Sequence, residues 1–94
     1  MTLAEFQDQI RQTYHTRDAK RGVDLNFLWF TEEVGELAEA VRKRDRASIK
    51  EEAADVLAWL ATICSLSDVD LQAAALAKYG KGCPRCAAIP CACP

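Results

Sequence analysis

Glu32-Glu33-Val34-Gly35-Glu36-Leu37, followed sixteen positions after Glu36 by Glu52-Ala53-Ala54-Asp55, is the text on which the reading of this chain turns. Around the first stretch an apolar row runs Phe30, Val34, Leu37, Val41, with Trp29 and Ala40 on its edge. Glu33 falls inside that arc and Glu36 falls one turn beside it. Around the second, Ile49, Val56, Trp59 and Ile63 form a row at i, i+7, i+10 and i+14, and its missing i+3 member is Glu52. Asp55 lies three residues further on. Positions spaced this way share one helix face, so the four carboxylates are expected in or beside one interior. Unpaired buried carboxylates are costly and must either meet a cation or give up their charge. Four together imply a bound hard metal.

Working outward, the same periodicity organises the rest of the chain. Thr2-Leu3-Ala4-Glu5 has the spacing of a capping box and opens a first helix carrying Leu3, Phe6, Ile10 and Tyr14, ending before Gly22. Asp24 is the expected N-cap of a second helix running to about Arg44. Asp45 is the expected cap of a third, Arg46 to Leu66, and Ser67-Asp68-Val69-Asp70 precedes a short fourth that stops at Gly80. No stretch alternates with period two over strand length, and the first proline is Pro84. Short turns make consecutive helices antiparallel neighbours. The expected fold is therefore all-α, an antiparallel four-helix bundle-like domain over residues 1–80, with a Cys-rich tail over 81–94.

Composition narrows the function classes. A chain of 94 residues is one domain and buries only roughly 60–65% of the surface its unfolded form exposes. With apolar rows on several short helices, a homo-oligomer is the default expectation. A formal charge of −2 offers no basic field for a nucleic-acid polymer. No apolar run approaches the roughly 20 residues of a membrane span, and the first residues lack the marks of a signal peptide. A cytoplasmic, reducing location is the expectation.

Glu33 and Glu36, like Glu52 and Asp55, are i, i+3 neighbours, so each pair can grip an ion from one side. Oxygen-only ligands suit Mg²⁺, or Mn²⁺ in its place, rather than zinc. Glu32, Glu39 and Glu51 fall off the apolar rows and read as a solvated face.

The Glu-Glu-x-x-Glu stretch at Glu32, Glu33 and Glu36, with Glu52-x-x-Asp55 and the flanking Ala54-Asp55-Val56-Leu57 and Leu76-Ala77-Lys78-Tyr79-Gly80, resembles the signature of MazG-type nucleotide pyrophosphohydrolases over about Phe27 to Gly80. The resemblance implies an all-α dimer or higher oligomer. It also implies Mg²⁺-dependent hydrolysis of a nucleoside triphosphate, ribo- or deoxy-, to monophosphate and pyrophosphate, a reaction suited to cleaning the nucleotide pool. By position it makes Glu33, Glu36, Glu52 and Asp55 the metal ligands and catalytic set. Asn26 and Trp29 precede Glu33 by seven and four residues and share its face, as a hydrogen-bonding group and a stacking platform for substrate. Lys78 stands where the family often places a cation for the phosphates. His15, on a polar stretch, reads as exposed. Sister activities on such a bundle, deoxyuridine triphosphate hydrolysis or phosphoribosyl-ATP pyrophosphohydrolysis, stand as alternatives. So does a non-catalytic, metal-binding helical dimer or interaction module with a zinc-binding tail.

The tail holds Cys83, Cys86, Cys91 and Cys93 within eleven residues, as Cys-x-x-Cys, a four-residue gap and Cys-x-Cys. Four thiolates match a closed tetrahedral zinc site, and a reducing compartment favours metal over disulfides. Cluster binding, redox pairing and free thiols stay open at this point. Cys64 reads as a small core residue.

Overall fold

The computed structural model describes all 94 residues and contains helices only: α1 Leu3–Arg42, α2 Arg46–Leu66 and α3 Leu71–Tyr79. The boundaries expected at Thr2, Asp45 and Asp70 hold in detail. Thr2 Oγ1 accepts from the Glu5 amide at 3.0 Å while Glu5 Oε1 accepts from the Thr2 amide at 2.8 Å, closing the capping box. Asp45 accepts from the Ser48 amide at 3.3 Å and Asp70 from the Ala73 amide at 3.0 Å. Each satisfies an N–H that the first helical turn leaves without an intrahelical partner.

The count of helices differs from expectation: there are three, not four. The two segments expected on either side of Gly22 are one element, interrupted at that residue alone (φ 82°, ψ 166°). This is a left-handed-side conformation that glycine adopts without a Cβ clash. The helix resumes at once, leaving no loop for Asp24 to cap. Asn26, fully buried, donates its side-chain amide to the carbonyls of Asp18 at 2.9 Å and Gly22 at 2.7 Å. Those are carbonyls that a break in the i→i−4 ladder sets loose, so Asn26 staples the kink.

Beyond the kink, the second half of α1 turns through Lys43-Arg44-Asp45 into antiparallel α2, with Arg44 at φ 53°. α3 leaves α2 at 101° and returns to the start of α1. There Gln7 Nε2 donates to the Val69 carbonyl at 2.8 Å, Gln7 Oε1 accepts from the Leu71 amide at 2.9 Å, and Ala4 N–H donates to Gln72 Oε1 at 2.9 Å.

The interior is thin. Five residues are buried, and three of them, Asp18, Asn26 and Thr62, are polar. The apolar row read from the sequence is only partly covered: Phe30 and Leu37 are half-buried, while Val34 and Val41 (54% exposed) face outward. Phe27 and Leu28 are 50% and 62% exposed. The radius of gyration, 15.4 Å, exceeds the about 12 Å expected of a compact chain this long. One α2 cannot cover both faces of a forty-residue helix, and the uncovered apolar surface is the physical result. No single helix is long and apolar enough to cross a membrane.

Candidate functional site

α1 beyond the kink and α2 run side by side, and their carboxylates meet across the seam. Carboxylate oxygens of Glu33, Glu36 and Glu52 lie within 4.8 Å of one another. Glu33 Oε2 and Glu52 Oε2 are buried and have no hydrogen-bond partner. Loss of water, together with the charges of Glu36, Asp55 and Glu52, pushes the Glu33 carboxyl up to about 7. Loss of water around Glu52, with the neighbouring Glu36 and Asp55, raises that group too. Buried acceptors without donors are costly to leave alone. Oxygens facing one another in this way fit a hard cation of the Mg²⁺ or Mn²⁺ type, which accepts carboxylate oxygens and keeps some waters.

Asp55 stands slightly apart. Its charge reaches both Glu33 and Glu52, yet it is exposed and forms part of the wall of an adjoining cavity of about 260 Å³. Glu32, Glu39 and Glu51 are exposed, and Glu39 pairs with Lys43 at 2.9 Å, in keeping with a solvated face.

That cavity is where sequence reasoning fell short. Its walls include Arg17 and Arg21 from the first half of α1, Trp29 from the second half, and Trp59 and Thr62 from α2. The kink at Gly22 brings the arginines over the same stretch of α2 that carries Asp55. The Arg21 guanidinium sits 4.2 Å from the centre of the Trp29 ring, and Trp29 meets Trp59 edge-on at 5.6 Å. Buried Asp18 anchors the arrangement, accepting from Arg21 Nη1 at 3.4 Å and from the Thr62 hydroxyl at 3.2 Å. Two arginines, two aspartates and two indoles thus line a pocket beside the carboxylate centre, with Arg21 already paired to Asp18. The available signal was Arg17 and Arg21 at i, i+4, on a helix whose next turns carry Trp29.

The other named candidates sort as follows. Trp29 lines the cavity, with one face already taken by Arg21. Asn26 has no exposed surface; its amide nitrogen is engaged in the kink, and its Oδ1 is buried without a partner. Lys78 is exposed on α3, lies with its ammonium 5.6 Å from the Tyr79 ring, and is not part of this cavity wall. His15 is exposed.

A second cluster lies in the tail. The thiols of Cys83, Cys86, Cys91 and Cys93 also fall within 4.8 Å of one another, and all five cysteines of the chain are free. Backbone N–H groups of Cys86 and Arg85 aimed at its sulfur hold the Cys83 thiol down at about 6. Hydrogen bonding among the sulfurs pushes Cys93 up to about 11. Cys64 is half-buried within α2.

The chain is all-α, and its carboxylate centre, on two antiparallel helices, adjoins an aromatic pocket. The family model for the MazG nucleotide pyrophosphohydrolase domain matches residues 21–87, and the chain belongs to that family. No curated protein sequence matches it. The matched stretch contains all four inner carboxylates, begins at the kink, and ends between the two cysteine pairs of the tail.

Proposed function

We propose that this chain is a Mg²⁺-dependent nucleoside triphosphate pyrophosphohydrolase, acting on ribo- or deoxynucleotides and working as a homodimer or higher homo-oligomer. The observation that carries the reading is the convergence of Glu33, Glu36 and Glu52 with two buried, partnerless oxygens. Membership of the MazG family supports the reaction class.

In this reading Glu33, Glu36, Glu52 and Asp55 hold the cation. Bound there, Mg²⁺ supplies charge neutralisation for the triphosphate and a lowered pKa for water. Arg17 and Arg21 meet phosphate oxygens from the opposite wall, fixing the chain of phosphates relative to the carboxylates. Trp29 and Trp59 offer the base an apolar surface, and the buried Asp18 keeps Arg21 oriented. The bond that breaks joins the α-phosphorus to the oxygen bridging to the β-phosphate. A water oxygen takes its place, and pyrophosphate leaves. Positioning and charge, rather than covalent chemistry, supply most of the rate in such a reaction.

The assembly reading rests on the exposed apolar surface. Phe27, Leu28, Val34 and Val41 lie on one helix of a chain with two buried apolar residues. A second copy is the occupant that a chain with no other apolar cover needs. Sedimentation of purified protein should give a mass of at least about twice 10.4 kDa, and a monomer at micromolar concentration would reject it.

A non-catalytic, metal-binding helical dimer would use the same carboxylate oxygens, and membership of the MazG family ranks that reading second. The deciding experiment incubates a panel of nucleoside triphosphates with the protein and Mg²⁺ and resolves the products by phosphorus NMR. Monophosphate with pyrophosphate is expected. Diphosphate with orthophosphate would reject attack at the α-phosphorus, and no turnover of any triphosphate would favour the binding module.

A further inference from the structure

The tail has no regular structure of its own, yet it is tightly organised. The Cys83 carbonyl accepts from the Ala87 amide at 2.6 Å and the Cys83 amide donates to the Ala88 carbonyl at 3.1 Å, closing a turn with Ala87 at φ 59°. Gly82 (φ 110°) opens that turn. A Cβ on Gly82 would meet Ile89 Cγ1 at 2.6 Å and the Ala88 carbonyl oxygen at 2.9 Å. Residues 81–94 bury no residue fully, so nothing apolar accounts for the order of this segment.

What does converge is sulfur. Cys83 Sγ lies 3.5 Å from Cys91 Sγ and 3.7 Å from Cys93 Sγ, and with Cys86 the four fall within 4.8 Å. A tetrahedral ion with Zn–S bonds of about 2.3 Å sets its ligand sulfurs about 3.8 Å apart. An iron–sulfur cluster places irons and sulfides between its thiolates and so spreads them more widely than one shared contact sphere allows. The sulfurs are also supported from outside: the Ala92 amide donates to Cys86 Sγ at 3.3 Å and the Cys93 amide to Cys91 Sγ at 3.4 Å. Such donors stabilise sulfur that carries metal-ligand charge. Four thiolates around a dication leave a net −2, and Lys81 and Arg85 of the same segment offset it.

We infer that Cys83, Cys86, Cys91 and Cys93 form a closed structural Zn²⁺ site, a knuckle appended to the hydrolase domain and chemically separate from its carboxylate centre. The family match stops at residue 87, so the second cysteine pair lies beyond the shared domain. The donor sets divide the metals: sulfur takes zinc, oxygen takes magnesium. With all four positions filled by protein, the ion has no open place for substrate and acts on folding, with protons released from the thiols as it binds.

The test reads metal, not turnover, so it stands or falls apart from the proposed hydrolase activity. Full-length protein purified under reducing conditions should carry about one zinc per chain by elemental analysis. Co²⁺ loaded in its place should give the intense visible bands of a tetrahedral tetrathiolate. Cys91→Ser should lose most of the bound zinc, while Cys64→Ser keeps it, with circular dichroism checking that both retain helix. A protein without zinc that fails to bind added Co²⁺, an iron–sulfide absorption, or zinc retained at full stoichiometry in Cys91→Ser would each overturn the assignment.

Discussion

The carboxylate centre and the cysteine tail each gather metal-binding atoms within the same 4.8 Å, but they are built from opposite materials. In the first, oxygens stand on two long helices that exist for reasons of capping and packing, and the charges are forced together by the scaffold. In the second, sulfurs stand on a fourteen-residue loop segment with no helix, strand or buried core. A scaffold that holds like charges together stores repulsion until a cation arrives. A loop that lacks a core relies on its ion for order. The same spacing of ligand atoms therefore signals preorganisation in one place and dependence in the other.

The largest expected effect breaks the first half of that contrast. Glu52→Gln should lower turnover by more than about a hundredfold, since even outer-shell partners of a metal cost 10–100-fold. Far-UV circular dichroism should stay unchanged, because the helices do not depend on this charge. Activity within tenfold of the parent chain would remove Glu52 from the metal site. On the other side, Gly82→Ala should weaken Zn²⁺ binding by about tenfold through strain at its positive φ. A competition titration against a chelator reads this, and an unchanged affinity would separate the turn from the ion. Arg21→Ala should raise KM by about tenfold, the worth of one charge-assisted contact of about 1.4 kcal/mol, with a smaller change in kcat. A fall in kcat alone would place Arg21 outside phosphate binding.

The smallest effect concerns pH. The metal-free folded chain holds a proton on Glu33 up to about pH 7, whereas the ordinary value is 4.5. Its contribution to stability is thus complete below about 4.5 and lost as pH rises through about 7. Melting temperature without metal should fall by about 5 °C across that window. Saturating Mg²⁺ should recover more of it at pH 8 than at pH 5. A metal-free melting curve that does not move with pH would show the stored repulsion to be absent.

Much of the scaffold was legible. Thr2, Asp45 and Asp70 announce helix starts through side chains that can reach an amide three residues on, and each does so. The inner glutamates were legible because they interrupt apolar rows. The joining of the first two helices was not: glycine followed by a possible cap reads as a boundary, and only the reach of Asn26 to two carbonyls shows that one residue absorbs the break. The arginine–tryptophan pocket was hidden for the same reason. Periodicity does not single out Arg17 and Arg21; it is the kink that lays them against α2. Exposure of Val34 and Val41 was equally closed to periodicity, which says which face is apolar but not what covers it.

The stapled break at Gly22 also sets where this chain can change length. Each residue advances a helix by about 100° of rotation. One residue added between Gly22 and Asn26 would carry Asn26 out of reach of the carbonyls it holds and turn the glutamates away from the arginines in a single step. The turn at Lys43–Asp45 and the junction after Gly80 impose no such phase. Insertions and deletions should therefore be absent around the kink and gather at those two places, making Gly22 the fixed point from which the rest of the molecule can be lengthened.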